Sequence, residues 1–268
     1  MTIESFDFAE SYRERYRQST RRPKTPQDWD ARARKMSRDC VGPDSPYVQA
    51  FISHMDLRGV ESLLDVGCGT GAICLPVARR LKQVYALDFS PGMLEVLKIS
   101  IRTLVMNNVR CIERAWDDEW DDVPACDIVV ASRSMALADL DKGLRKLSAK
   151  AKKRVYTTHM VSDHFVSDEA FHQIGRKSPV FPDYIYALNL LYQQGYRASV
   201  DFIKPPVSHV GADQLEENEF IEAVRWSAGE LSREDKKKLK AYYRKNAPQG
   251  LIGMPQDKTW AFISWETC

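Results

Sequence analysis

The sequence predicts an α/β protein built on a doubly wound, mostly parallel β-sheet. Short apolar runs alternate with helical patterns between residues 62 and 159, at the spacing of a strand–helix–strand fold. A glycine-rich turn joins the first run to the helix after it, and an acidic residue closes the second run. Both features belong at the carboxyl edge of such a sheet, where its ligands bind.

The first 60 residues are predicted to form a helical cap of two or three helices. Four prolines divide this charged and aromatic region, at Pro23, Pro26, Pro43 and Pro46. One helix is expected over 28–36 and another over 45–55. In the second, Ser45 can cap the helix and the proline after it can occupy the first helical position.

The alternating part of the chain is predicted to supply five parallel strands. The predicted strands are 62–66, 83–88, 109–113, 127–131 and 154–159. The predicted helices between them are 72–81, 91–104 and 137–151. In the first of these helices the apolar residues recur at helical spacing, so one face of the helix is expected to pack on the sheet.

Residues 160–197 interrupt this alternation, and we expect them to form a lid-like insertion that is helical in its second half. Two further strands are predicted at 198–203 and 259–265, with a charged helix at 231–245 between them. This region is too short for another strand–helix–strand unit, so the two strands are expected to close the sheet as a hairpin-like pair with an antiparallel last strand. The prediction is one domain over 1–268, with a Rossmann-like sheet of about seven strands.

Residues 64–71 (LDVGCGTG) carry the main chemical signal. A glycine turn between a strand and a helix lets a ligand approach the backbone, and the helix N-terminus adds N–H groups and a positive dipole end. Asp88 follows Gly67 by 21 positions and can accept hydrogen bonds from ribose hydroxyls. Gly67, Gly69 and Ala72 also fit the dinucleotide pattern G-x-G-x-x-G/A, which keeps nicotinamide dinucleotides open as ligands.

The sequence resembles the class I S-adenosylmethionine (SAM)-dependent methyltransferases over about residues 45–160. The resemblance rests on four motifs in order: LDVGCGTG, ALDFSPGML at 86–94, the pair Trp116 and Asp117, and DIVVA at 127–131 with the Ser-Arg-Ser that follows it. Motifs in this order are specific for a fold and a cofactor, not for a substrate. The resemblance implies a transferase that uses SAM as methyl donor.

The resemblance also implies a set of cofactor-binding residues. They are Asp65, Gly67, Cys68, Gly69, Gly71, Asp88, Phe89, Met93, Trp116, Asp117, Ser132 and Arg133. The three glycines would form the loop against the methionine part of SAM, and Asp65 would orient its amino group. Ser132 and Arg133 follow the fourth strand, where the family often places a backbone carbonyl against the same amino group.

At the other end of SAM, the resemblance implies contacts to the adenosine. Asp88 would bind the ribose hydroxyls, and Phe89 and Met93 would flank the adenine. Trp116 and Asp117 stand where the family contacts the adenine ring and its amino group. Because Asp117 lies in a run of acidic residues, the sequence does not decide which acid meets the adenine.

His159 is the candidate general base or substrate contact. It ends the predicted fifth strand, and the ligands of open α/β sheets lie beyond the carboxyl ends of strands. Methyl transfer needs a base only when the acceptor holds its proton at neutral pH. Nearby His164 and His172 raise the question of a metal site, but they lack HxxxH spacing and matching acids, so no metal is expected.

Composition excludes several classes of protein. The 268 residues include 39 basic and 37 acidic ones, and a net charge of +2 argues against a dedicated nucleic-acid binder. No apolar run approaches the roughly 18–20 residues of a membrane span, and the polar N-terminus does not resemble a secretory signal. The six cysteines lack CxxC spacing, so they are expected to be reduced thiols of a cytoplasmic protein.

The sequence therefore predicts methyl transfer from SAM to a small-molecule acceptor by in-line displacement. Residues 132–136 (SRSMA) stand where methyltransferases of base amino groups or glutamine amides often carry an Asn-Pro-Pro-Tyr-like tetrapeptide, which disfavours those acceptors. The alternatives are an RNA or protein methyltransferase, a SAM-binding protein without catalysis, and an NAD-dependent oxidoreductase. The oligomeric state stays open, a homo-oligomer included.

Overall fold

A computed structural model describes residues 3–19, 23–36, 45–161, 168–178, 181–204, 216–249 and 259–267. Its strands are β1 Ser62–Val66, β2 Gln83–Asp88, β3 Val109–Glu113, β4 Cys126–Ala131, β5 Ala151–Met160, β6 Ser199–Ile203 and β7 Trp260–Glu266. Within the described residues these strands form one sheet, in the order β3-β2-β1-β4-β5-β7-β6. Strands β1 to β5 pair in parallel, whereas β7 lies antiparallel between β5 and β6, which confirms the predicted fold class.

Helices cover both faces of the sheet. They are α1 Phe8–Gln18, α2 Pro26–Met36, α3 Pro46–Ser53, α4 Cys74–Ala78, α5 Pro91–Thr103, α6 Leu140–Lys150, α7 Asp168–Gln173, α8 Tyr184–Gln193, α9 Glu217–Ala228 and α10 Arg233–Asn246. Helices α3, α4 and α5 pack on one face, and α1, α6 and α8 pack on the other. This two-sided cover is why the central strands are apolar throughout.

Strands β1 and β4 form the centre of the core. Leu63 and Leu64 on β1 are fully buried and belong to the cores on opposite faces, as do Val130 and Val129 on β4. The chain turns from β1 toward β2 on one side of the sheet and from β4 toward β5 on the other. This topological switch point brings the loops after β1 and β4 together at the carboxyl edge, where such sheets bind ligands.

Side-chain caps decide where the helices next to that edge begin. Ser90 accepts a hydrogen bond from Met93 N (3.1 Å) and caps α5, as the sequence predicts. The predicted helix 72–81 is shorter in the structure, because turns continue to Ile73 and the buried Asp65 carboxylate accepts the first α4 N–H, that of Cys74 (3.1 Å). The glycine turn is therefore longer than the apolar spacing alone suggests.

The predicted insertion at 160–197 divides between two places. Helix α8 packs on the sheet with α1 and α6, and buries Ala187, Leu190 and Leu191. Helix α7 instead joins α9 and α10 in a separate apolar cluster. The lid-like role of the insertion stays a prediction, and α7 is its one described helix that lies off the sheet.

Candidate active site at the carboxyl edge of the sheet

The glycine loop after β1 is fixed to the neighbouring strand β2. Gly67 N and Cys68 N both donate to the carbonyl of Leu87, at 2.8 and 3.0 Å. Gly67, Gly69 and Gly71 have φ of 69°, 55° and 95°, a region that side chains rarely adopt. The loop therefore depends on glycine for its backbone path.

The space around the three glycines differs. A Cβ on Gly67 would lie 2.4 Å from Ser134 Cβ, and one on Gly71 would lie 2.6 Å from Leu97 Cδ1. A Cβ on Gly69 would meet only Met93 Sδ, at 4.0 Å. The space beside Gly69 is therefore free of described protein atoms, and a ligand can approach the backbone there. We call this space the open room at Gly69.

Asp88 connects the glycine loop to helix α5. Its Oδ2 accepts from Gly69 N (2.8 Å) and its Oδ1 accepts from Ser90 N (2.9 Å). The side chain is buried, and this burial raises the pKa of Asp88 despite the backbone hydrogen bonds. The carboxylate stands at the end of β2 beside the open room at Gly69, so it can also accept hydrogen bonds from a diol.

Asp65 is the second buried acid of the site. Only 2% of the residue is exposed, and its Oδ2 accepts from Cys74 N. Burial raises the pKa of Asp65 to about 7. A ligand ammonium would donate to the carboxylate and stabilise its ionised form, so Asp65 is a suitable acceptor for the amino group of SAM. Cys68 is buried as well, and burial raises the pKa of its thiol well above the usual value.

The loop after β4 closes against the glycine loop. Ser134 Oγ donates to the carbonyl of Val66 (2.8 Å), which ties the two loops together. Arg133 has φ of 55°, an uncommon value for a residue with a side chain. Its N–H donates to Thr158 Oγ1 on β5 (2.9 Å). A backbone strained in this way is held by its surroundings, and such positions concentrate at functional sites.

Tyr47 of helix α3 completes this part of the edge. Its hydroxyl lies 2.7 Å from Ser132 Oγ and 2.9 Å from Thr158 Oγ1. The guanidinium carbon of Arg133 lies 4.4 Å from the centre of the Tyr47 ring. Sequence reasoning missed Tyr47, because nothing local marks a tyrosine 85 positions before Ser132 as its partner. The sequence does carry a signal for Thr158, because this residue precedes His159 near the end of a predicted strand.

Asp30 of helix α2 is a further residue that the sequence did not reveal. Its Oδ1 accepts from Ser90 Oγ (2.6 Å) and Gly92 N (2.8 Å) at the start of α5. A Cβ on Gly92 would lie 2.7 Å from the same oxygen, so the glycine permits this close approach. Asp30 thereby fixes α2 beside the loop that holds Asp88.

The predicted adenine contacts have mixed surroundings. Met93 is buried and faces the open room at Gly69, and Phe89 is half-buried after β2. Trp116 packs against Trp120, with the ring centres 5.4 Å apart, and lies beside helix α6. Asp117 is exposed, whereas the next acid accepts a backbone N–H hydrogen bond from Ala115. The roles of Trp116 and Asp117 toward adenine stay predictions.

His159 is buried in the sheet. A ring nitrogen, Nε2, lies 2.9 Å from Thr157 Oγ1 on the same face of β5. Burial lowers the pKa of His159 to about 3, so the ring is neutral at physiological pH and is a weak base. Its predicted catalytic role stays a prediction without geometric support. His164 lies outside the described residues, which leaves the predicted histidine cluster incomplete.

Comparisons with known proteins agree with this geometry. A family model described as a methyltransferase domain matches residues 63–154, which include the glycine loop and Asp88. A Haemophilus influenzae protein described as uncharacterized is 40% identical over 266 residues, covering 99% of this chain and 98% of that protein. The structure of the YcgJ protein of Bacillus subtilis has a TM-score of 0.54 at 13% identity, covering 82% of this chain and 95% of that one.

A coclaurine N-methyltransferase bound to N-methylheliamine and S-adenosylhomocysteine (SAH) has a TM-score of 0.50 at 18% identity, covering 82% of this chain and 68% of that chain. Residues 63–154 therefore form a methyltransferase domain of the class I SAM-dependent kind. The protein is an enzyme, and SAM is the methyl donor of its family. Among the described residues, no helix combines the length and apolar composition that crossing a membrane would require.

Proposed function

We propose that this enzyme transfers the methyl group of SAM to a small-molecule acceptor by in-line displacement. The observation that carries the proposal is the open room at Gly69, which adjoins the buried Asp88 at the switch point of the sheet. A second buried acid, Asp65, stands on the neighbouring strand β1. Helices from outside the sheet also stand beside this edge, because α2 is bonded to the start of α5 and α3 to the loop after β4. A covered edge of this kind suits a small acceptor.

The proposal gives each part of SAM a set of residues. The loop residues Gly67, Cys68, Gly69 and Gly71 hold the methionine end against the backbone, and Asp65 binds its ammonium. The raised pKa of Asp65 supports this role, since the carboxylate lacks a cationic partner among the described side chains. Ser132 and Arg133 border the same end.

The adenosine half of SAM takes the other candidate residues. Asp88 accepts from the ribose hydroxyls, and Met93 and Phe89 border the adenine. Trp116 and Asp117 remain the candidates for its far edge. The proximity of Asp88 and Met93 to the open room at Gly69 supports the first two assignments.

Catalysis in this proposal comes from positioning. When bound, SAM supplies a methyl group that its sulfonium already activates. The residues of the chain then hold the acceptor in line and exclude water, which can supply a large part of a rate enhancement. A neutral, buried His159 fits an acceptor that needs no strong base.

We place the whole chain, 1–268, in one catalytic domain located in the cytoplasm. Residues 1–60 form its helical cap, and the insertion at 160–197 contributes α7 to the cover of the site. The thiols of Cys68, Cys74, Cys111 and Cys126 are free, which suits a reducing compartment.

Calorimetry on the purified protein tests the cofactor site. SAH is expected to bind and NAD is not. Asp88→Ala is expected to weaken SAH by at least about tenfold, because it removes a hydrogen-bonded carboxylate. Asp201→Ala, an exposed acid on strand β6, serves as the matched control and should leave the affinity unchanged. Equal SAH affinity in both variants would remove Asp88 from the cofactor site.

Methyl transfer is tested with SAM that carries a radiolabelled methyl group. The protein is incubated with the small-molecule fraction, the RNA or the protein of a cell extract, each in a separate reaction. Label is expected in the small-molecule fraction alone. Label in the RNA or the protein, with none in the small molecules, would contradict the small acceptor.

A further inference from the structure

Arg133 lies just after the carboxyl end of β4, and its side chain packs on an aromatic ring. Its backbone is held by φ of 55° and by the bond to Thr158, and its guanidinium lies over the ring of Tyr47 at 4.4 Å. The Tyr47 hydroxyl is itself fixed by Ser132 and Thr158. The positive charge is therefore held in place at the edge where the ligands of this fold bind.

A second guanidinium, that of Arg32, belongs to helix α2, which is bonded to the start of α5 at the same edge of the sheet. Arg32 lies over the ring of Trp226 at 5.0 Å and over that of Trp29 at 5.8 Å. The two tryptophans meet edge to face at 5.2 Å, so they link α2 with α9. Because Asp30 anchors α2 on α5, Arg32 is held beside the site by both neighbouring helices.

Desolvation and the positive charge of Arg133 both lower the pKa of Arg32. Both residues are nonetheless exposed, so a ligand can reach their side chains.

Among the side chains that the structure describes, no carboxylate pairs with either guanidinium. Elsewhere in the described chain, arginines such as Arg58, Arg154 and Arg244 pair with an aspartate or glutamate within 4 Å. Within the same residues, no ion pair or side-chain hydrogen bond involves Arg32 or Arg133. Two neighbouring cations without an anion are unfavourable, and an oxyanion between them would relieve the repulsion.

We infer that Arg32 and Arg133 form a binding site for an oxyanion, a carboxylate or a phosphate, carried by the methyl acceptor. The planar guanidinium suits both groups, because it can donate two parallel hydrogen bonds to either. The site adjoins the loop after β4 and would hold the acceptor at the methionine end of SAM. This inference rests on the proposed transfer to a small molecule.

The acceptor is favoured over the carboxylate of SAM as the source of the oxyanion. The matched methyltransferase segment, 63–154, contains the glycine loop and both buried acids. Arg133 lies inside this segment, whereas Arg32, Trp29 and Trp226 lie outside it, on helices added to the sheet. An anion site that needs those helices is expected to serve the variable substrate and not the shared cofactor.

Binding measurements on the intact protein test this inference. Malonate and inorganic phosphate are the oxyanion probes, titrated into protein saturated with SAH. The variants are Arg32→Gln and Arg133→Gln, and Arg58→Gln is the control because Arg58 is paired with Asp56 on the surface. At least one probe is expected to bind the wild type and the control, and to weaken by about tenfold or more in both variants.

Affinities for SAH and for 5′-methylthioadenosine, which lacks the amino-acid end, identify the source of the anion. Both affinities should change by less than about twofold in Arg32→Gln, since loss of a single charged hydrogen bond would cost more. If Arg32→Gln weakens SAH about tenfold while the affinity for 5′-methylthioadenosine is unchanged, Arg32 holds the cofactor and the inference is wrong. It is also wrong if neither probe binds, or if both bind the variants as well as the wild type. Absence of SAH binding to the wild type would instead refute the proposed function.

Discussion

Gly67 and Gly69 both have a positive φ, but they differ in the space available for a side chain. The 2.4 Å approach of Ser134 Cβ leaves no room for a side chain at Gly67, whereas the position of Gly69 is open. At the first, glycine is required by the close contact of two loops. At the second, the missing side chain leaves space that a ligand can use. The two substitutions should therefore affect different properties of the protein.

Alanine at these positions separates folding from cofactor binding. Gly69→Ala should lower the free energy of unfolding by about 1–2 kcal/mol through left-handed strain, and should weaken SAH about tenfold by filling the open room. Gly67→Ala should cost roughly 1–3 kcal/mol more, because the new Cβ also clashes. Gly59→Ala, with φ of 65° and no atom within 4 Å, is the control and should show the strain alone. Urea denaturation and calorimetry measure the two effects, and equal SAH affinity in the Gly59 and Gly69 variants would refute the ligand role of Gly69.

Asp65 should make cofactor binding depend on pH. Its pKa is about 7 in the free protein, because burial disfavours the charge, and a bound ammonium would lower it. SAH affinity should therefore rise with pH up to about 7, by at most about tenfold per unit, and level off above. Asp65→Asn should bind SAH more weakly and with a flat profile over that range. A wild-type profile as flat as that of the variant would show that Asp65 does not meet the ammonium.

At the scale of elements, helix α2 connects the N-terminal helical cap to the loop that holds Asp88. Asp30 of α2 accepts hydrogen bonds from the start of α5, and Trp29 of α2 packs against Trp226 of α9. Lys24 also donates to the carbonyl of Trp226. The helix thus bridges the cofactor loop and the outer helices, and its attachment depends on a few polar and aromatic contacts.

Removal of the Asp30 carboxylate should release α2. Asp30→Ala leaves Ser90 Oγ and Gly92 N without their acceptor, at a cost of roughly 1–3 kcal/mol. Amide hydrogen exchange in α2 is expected to increase at least about tenfold, while β1 and β4 keep their protection. Asp30→Asn retains an acceptor oxygen and should restore most of the protection. If exchange in α2 is unchanged in Asp30→Ala, the aromatic contacts alone hold the helix.

At the scale of the whole molecule, the described residues form three apolar cores. Two lie on opposite faces of the sheet, and the third lies away from the sheet. The third is the cluster of α7, α9 and α10, which includes Phe171, Phe220, Val224 and Leu239. The contacts described between this cluster and the rest of the protein include those of Trp29 and Arg32 on α2 with Trp226 on α9. We therefore expect the cluster to open without unfolding of the sheet.

Truncation within each core tests that separation. Leu239→Ala should destabilise the α7–α9–α10 cluster by about 2–5 kcal/mol, and raise hydrogen exchange there alone. Leu147→Ala, in the core between α6 and the sheet, should instead lower the stability of the whole molecule. A rise in exchange along β1 and β4 in the Leu239 variant would mean that the cluster and sheet unfold together.

The sequence predicted the parts of the fold whose causes are local. Strands β1 to β4 lie within one residue of their predicted bounds, and Asp88 stands at the end of β2 beside the glycine loop, as expected. The charged helix at 231–245 corresponds to α10, whereas α1 and α9 were not predicted individually. The insertion was predicted as one lid, yet α8 packs on the sheet, because its three buried apolar residues match the space beside α1 and α6.

The sequence by itself determined the parallel sheet, the cofactor loop and the family, because periodicity, glycine and the position of an acid act within a few residues of one another. Only the tertiary structure decided that Asp30 meets Ser90, that Tyr47 supports Arg133 and that Arg32 approaches them from another helix. These contacts join residues about 60 to 100 positions apart, and each is a single polar or aromatic group with no local pattern. Long-range packing therefore determines how α2 and α3 meet the edge of the sheet, while short-range chemistry determines the glycine loop and the acid that follows it.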